Sequence, residues 1–175
     1  MVNYPDRSEA IKLLHEYTKT DSLRRHALGV EQAMRKMANK YDGDPDEWGL
    51  TGLMHDFDYE MYPTTEDHPY GWNEILVEKG YPYSITNAIL GHETYTGVPS
   101  DTKMAKSLFS VDELTGFIFA VTYVRPSKSI LEVKPKSVKK KLKQKSFAAS
   151  VIREDIFQSI EELGVDLTEQ TVYVL

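Results

Sequence analysis

A histidine followed directly by an aspartate, His55-Asp56, ends a short apolar run in Gly52-Leu53-Met54-His55-Asp56-Phe57-Asp58-Tyr59. An imidazole and a carboxylate set beside Leu53 and Met54 are costly to desolvate unless both are paired or bound to a metal. Three more histidines are placed to join them: His26 upstream, and His68 and His92 downstream. Asp112 lies in a further apolar stretch, residues 107–114. The order His…His-Asp…His…His…Asp supplies enough nitrogen and oxygen donors for a metal site, and for two ions rather than one.

The chain has no cysteine, so disulfides, thiolate metal sites and thiol catalysis are excluded. Imidazole and carboxylate must hold any ion, a donor set that suits Fe, Mn, Ni or Zn better than Mg. The expected assignment puts His26, His55, Asp56 and Asp112 on one divalent ion. His68, His92 and a bridging Asp56 take the other. Such sets leave coordination positions for water or substrate, the mark of a catalytic rather than a structural site. Glu93 beside His92, or Asp58 two residues after Asp56, is placed to move a proton, and Asp56 is expected to be catalytic as well as a ligand. His15 falls outside the pattern and reads as an ordinary helix residue.

Helices are needed to bring these residues together. Asp6 can cap a first, with Ile11, Leu14 and Tyr17 on its apolar face. Asp21 opens a second, in which His26 shares a stripe with Leu23, Ala27, Val30, Met34 and Met37. Asp44-Pro45 starts a third that runs through Trp48 and Leu50 to His55-Asp56. Residues 57–67 read as a loop. His68-Pro69 opens a fourth helix with Trp72, Ile75 and Leu76, stopped by Gly80. A fifth carries Ile85, Ala88, Ile89 and His92 on one face. Residues 104–124 form the longest apolar segment, ended by Pro126. Val138 and Leu142 mark another helix, which Phe147 and Val151 extend. The last, with Ile156, Ile160 and Leu163, closes at Gly164. Only residues 171–175 hint at a strand. The reading is one all-α domain over residues 1–175, with a core of about 20–125 and a C-terminal helical extension of about 126–175.

At 175 residues and 41% hydrophobic, the chain can bury a proper core. No apolar run approaches the roughly 18 residues a membrane span needs, and no signal-peptide pattern opens the chain. A cytoplasmic protein without a membrane partner is expected. The net charge of −6 makes nucleic acid an unexpected partner, yet the charge is uneven. Residues 125–145 hold nine basic residues against Glu132, a formal +8 that leaves −14 for the rest. Arg125, Lys128, Lys139 and Lys140 are the expected contacts to a small anionic, phosphorylated substrate. The other lysines of the run read as a solvated face.

The histidine and aspartate order resembles the HD-domain superfamily of metal-dependent phosphohydrolases, and the resemblance covers nearly the whole chain. It is closest to small stand-alone bacterial HD proteins. Residues 52–59, Glu66-Asp67-His68-Pro69, Gly91-His92-Glu93, Val111-Asp112-Glu113-Leu114 and Ser137-Val138-Lys139-Lys140-Lys141 carry it. The two intervening histidines resemble the dinuclear branch, which holds both cyclic-dinucleotide phosphodiesterases and di-iron oxygenases. The resemblance implies a helical bundle with a metal site between helices, and a metal-dependent hydrolase of a small-molecule or nucleotide phosphoester. The alternatives are a di-iron oxygenase of the same fold, or a non-catalytic module that binds nucleotide or nucleic acid through its lysines.

Overall fold

Capping chemistry sets where the helices begin. In the computed structural model, which describes residues 4–64 and 70–175 and the side chains of 4–64 and 73–175, the Asp6 carboxylate accepts from Glu9 N at 2.9 Å. The Glu9 carboxylate in turn accepts from Asp6 N at 3.0 Å. This reciprocal cap opens α1 (Arg7–Tyr17). Helix α2 (Asp21–Lys40) buries Ala27, Val30, Ala33, Met34, Met37 and Ala38 at helical spacing. The fully buried Glu31 carboxylate accepts from Arg7 Nε at 2.6 Å and from Arg35 Nε at 3.1 Å, tying α1 to α2.

Helix α3 (Pro45–Met54), capped by Asp44, is buried from Trp48 through Met54 and lies against α2. A Cβ at Gly52 would stand 2.9 Å from the Val30 carbonyl oxygen, so only glycine allows so close a crossing. Helices α4 (Tyr70–Glu78) and α5 (Tyr83–Leu90) follow, with Gly80 at φ +86° making the turn between them. Helix α6 (Lys103–Tyr123), capped by the Thr102 hydroxyl, runs through the whole fold. Its first half packs into a core with α1, α2, α3 and α5. Its second half, through Leu114, Phe117, Ile118 and Val121, forms another core with α7 (Pro135–Leu142) and α8 (Arg153–Leu163).

The C-terminal residues correct two expectations. Residues 171–174 are helical, not a strand, and belong to α9 (Leu167–Val174), with Leu175 as its C-cap. Their β-branched side chains suggest a strand, but Asp166 caps the segment by accepting from Thr168 N, and Gln170 and Thr171 are buried side by side. Gln170 donates to Ser110 Oγ at 2.7 Å, locking α9 onto α6. Helix α7 stops at Leu142 rather than continuing through Phe147 and Val151. Beyond it the Arg153 guanidinium donates to the carbonyls of Leu142, Gln144, Phe147 and Val151, holding an irregular turn in which Ala148 has φ 46°. Among the described residues the structure is all-α, without strands, and no helix is long and apolar enough to cross a membrane.

Candidate metal centre

Three histidines from separate elements meet in a row. His55 is the middle one, with ring centroids 5.3 Å from His26 and 5.5 Å from His92. His26 comes from the α2 stripe, as its spacing predicts. His55 caps the C-terminal end of α3, where the helix stops one residue short of the expected His55-Asp56. His92 is not on the face of α5, which ends at Leu90; it follows Gly91 in the turn beyond.

The two buried histidines are oriented in the same way. His55 Nδ1–H donates to the Gly52 carbonyl at 2.7 Å, and His92 Nδ1–H to the Ile89 carbonyl. A carbonyl only accepts, so the proton belongs on Nδ1 and Nε2 is presented to the cluster in both rings. Each accepting carbonyl lies in the last turn of its helix, where carbonyls lack intrahelical partners. Two helix C-termini, the negative ends of their dipoles, are thus turned toward one spot, an arrangement that favours a cation.

The carboxylates divide themselves among the histidines. Asp112 Oδ1 lies 2.8 Å from His26 Nε2 and 3.2 Å from His55 Nε2, while its Oδ2 lies 3.8 Å from His92 Nε2. Asp56 Oδ2 is 3.4 Å from His55 Nε2 and its Oδ1 is 3.8 Å from His92 Nε2. Two ligand groups result: His26, His55, Asp56 and Asp112, and then Asp56, His92 and Glu93, with donor atoms in each within 4.8 Å of one another. Glu93, read from the sequence as a proton carrier, is therefore also placed to ligate. His68, expected on the second ion, lies outside the described residues.

A divalent cation fits this donor set. His92 is 3% exposed, and its Nε2 is buried without a hydrogen-bond partner, facing three carboxylates. Such an orphaned lone pair is costly unless something electron-poor binds it. The charge balance says the same. Burial alone would lower the pKa of His55, but the charges of Asp56 and then Asp112 outweigh it and hold the imidazole well above its ordinary value. Burial pushes Asp112 up; the His55 charge and the bonds from His26 and His55 more than reverse it, leaving the carboxyl well below the usual range. A proton on His55 thus stands where a cation would.

Beside the cluster is a cleft of about 210 Å³ reached by His92, Glu93 and Asp112. Tyr59, Tyr95 and Phe109 give it aromatic walls, and Glu113 and Asp155 give it further carboxyls. Glu113 is pushed up to about 8, by burial first and then by the charge of Asp112. Its Oε2 accepts from Ile152 N at 3.2 Å, at the N-cap of α8. The C-terminal extension therefore builds part of the cleft. Sequence reasoning missed Glu113 and Asp155; the one signal was the place of Glu113 next to Asp112.

Other expected site residues are not brought here. Asp58 is fully buried and joins neither ligand group. Arg125 and Lys140 line a different cleft, between the end of α6 and α7, and Lys128 and Lys139 line neither cleft. The reason is length: the end of α6 lies roughly 16 Å beyond Asp112 at 1.5 Å per residue. No family model, curated protein or solved structure matches the chain.

Proposed function

We propose that this chain is a metal-dependent hydrolase of phosphoesters, with two divalent ions and an HD-type ligand set. The observation that supports it best is the division of Asp56 and Asp112: each directs one oxygen at His55 and the other at His92. His26, His55, Asp56 and Asp112 would hold one ion, and Asp56, His92 and Glu93 the other. Bound there, the ions supply Lewis acidity toward water and toward a phosphoryl oxygen.

The chain's own groups account for the rest. The Gly52 and Ile89 carbonyls keep two imidazoles in the tautomer that ligates. Glu113 lines the cleft with one oxygen engaged by Ile152 N, and in the metal-free chain burial pushes its carboxyl up to about 8. It is suited to protonate the leaving oxygen, since a general acid works best with a pKa near the working pH. The aromatic walls restrict water around the reacting phosphate.

The cleft wall also narrows the substrate. Among its described lining residues there is no lysine or arginine, while Asp155 adds a carboxyl beside those of Glu93 and Asp112. Additional phosphates would be repelled there, so the reading is a phosphomonoester of a neutral or cationic alcohol rather than a polyphosphate. Protein purified without added metal should contain Fe, Mn, Ni or Zn by elemental analysis. The same sample should release phosphate from glycerol phosphate or phosphocholine faster than from ATP, and Asp56→Asn should abolish the release. Turnover that survives both Asp56→Asn and chelation would refute the proposal, and oxygen consumption without phosphate release would replace hydrolysis with oxidation.

A further inference from the structure

The lysine-rich stretch is left without a task once it is seen to lie away from the metal cleft. We propose that the cleft between the C-terminal end of α6 and α7 is a second, metal-independent site, and that it binds a nucleoside di- or triphosphate. The cleft measures about 440 Å³, within the range of small-ligand sites. Arg125, Lys140 and Lys141 give it cationic groups, and Ser137 and Gln144 add neutral hydrogen-bonding ones. Val121 and Val124 give it an apolar side on which a base or similar body can rest.

Three observations favour an anionic occupant over a merely solvated face. First, Arg125 Nε is buried without a hydrogen-bond partner, and among the described residues the guanidinium makes one ion pair, a long one from Nη2 to Glu132 at 3.5 Å. The Arg125 side chain is 31% exposed, so the guanidinium can turn toward a phosphate in the cleft and satisfy that donor with a charge-assisted bond. Second, α7 accumulates charge at a cost to itself. Lys136 and Lys140, and Lys139 and Lys143, are like-charged i, i+4 pairs that weaken a helix, while Val138 and Leu142 do the packing. Third, Lys136, Lys140 and Lys143 are exposed along one stripe, and no ion pair within 4 Å is found for them among the described residues.

Charge distribution favours a compact ligand over a long polyanion. Residues 125–145 carry +8, but the remainder of the chain carries −14, so a nucleic acid leaving the patch would run into repulsion. A ligand with two or three phosphates ends within it.

The test uses the full chain, chelated to remove divalent ions, with ATP, tripolyphosphate and adenosine as calorimetric probes. ATP should bind, tripolyphosphate more weakly, and adenosine not measurably. Arg125→Ala and Lys140→Glu should each weaken ATP by about tenfold or more, as loss of one charge-assisted contact does. Lys140 is exposed, so its variant should keep the wild-type unfolding midpoint even if Arg125→Ala does not. Asp56→Asn should bind ATP as wild type does, which separates this site from the metal centre. Absence of ATP binding, or binding unchanged in Lys140→Glu, would overturn the proposal. So would single-stranded DNA binding more tightly than ATP, since that would make the patch a nucleic-acid surface.

Discussion

Replacing Asp56 by asparagine should damage metal binding more than removing any one histidine does. Among the described residues Asp56 alone is common to both ligand groups, with one oxygen toward His55 and the other toward His92. A ligand that binds only the folded state at a hundred times its Kd stabilises it by about 2.7 kcal/mol, so two ions supply roughly 5 kcal/mol. For a domain of this size each kcal/mol raises the midpoint by about 2–4 °C, so wild-type protein should gain roughly 10–20 °C on saturation. His26→Ala and His92→Ala should each keep one ion and about half of that gain. Asp56→Asn should hold at most one ion, weakly, and gain only a few degrees. Asparagine preserves the shape of the side chain but removes the charge that holds the proton on His55, so each gain is read against that variant's own metal-free midpoint. Thermal unfolding with and without metal, paired with elemental analysis of the dialysed proteins, measures both quantities. Two ions retained by Asp56→Asn, or a single ion bound by wild type, would refute the bridged arrangement.

The metal-induced gain should also depend on pH. The folded-state pKa of His55 is raised, so the stability from its protonated form is full below about 6.5 and is lost as pH rises through the folded value. A metal needs the neutral ring, so its stabilisation should be larger at pH 8.5 than at pH 6; a gain that shrinks with pH would contradict the assignment. Glu113→Gln should stabilise the metal-free protein increasingly from pH 5 to pH 8.5. Ionising a carboxyl held at about 8 rather than 4.5 costs the folded state across that window, and denaturant midpoints at the two pH values would show it. The same variant should lower kcat for phosphomonoesters more than KM. Lys128→Glu and Lys139→Glu should leave KM for those substrates unchanged within about twofold, because neither residue lines the metal cleft.

What the sequence reveals about this site follows from how local each signal is. His26 is legible because helix periodicity alone puts it beside Ala27 and Val30. His55-Asp56 and Asp112 are legible because charge in an apolar run requires a partner. The position of His92 is only half legible. Its spacing matches the stripe of α5, but Gly91 ends that helix and a turn carries the ring to the cluster. The contribution of α8 is not legible at all, since nothing within residues 152–155 announces that they pack against Glu113. The lysines mislead for the same reason: their charge is plain, but their distance from Asp112 depends on how α7 docks on α6.

The histidine geometry suggests a more general rule for reading such chains. An imidazole one or two residues past a helix can donate Nδ1–H to a carbonyl three residues back, in the last turn. That carbonyl lacks an intrahelical partner, so the bond costs the helix nothing. It fixes the tautomer, aims Nε2 past the helix end, and adds the negative end of the dipole to the same place. His55 with Gly52 and His92 with Ile89 repeat this device on two different helices. A histidine on a mid-helix stripe, such as His26, has no such carbonyl to spare and must be oriented from across the cluster, here by Asp112 at 2.8 Å. Rigid imidazoles at helix ends and an adjustable one on a helix side are therefore what this centre is built from. His26→Ala should cost less metal affinity than His55→Ala for that reason.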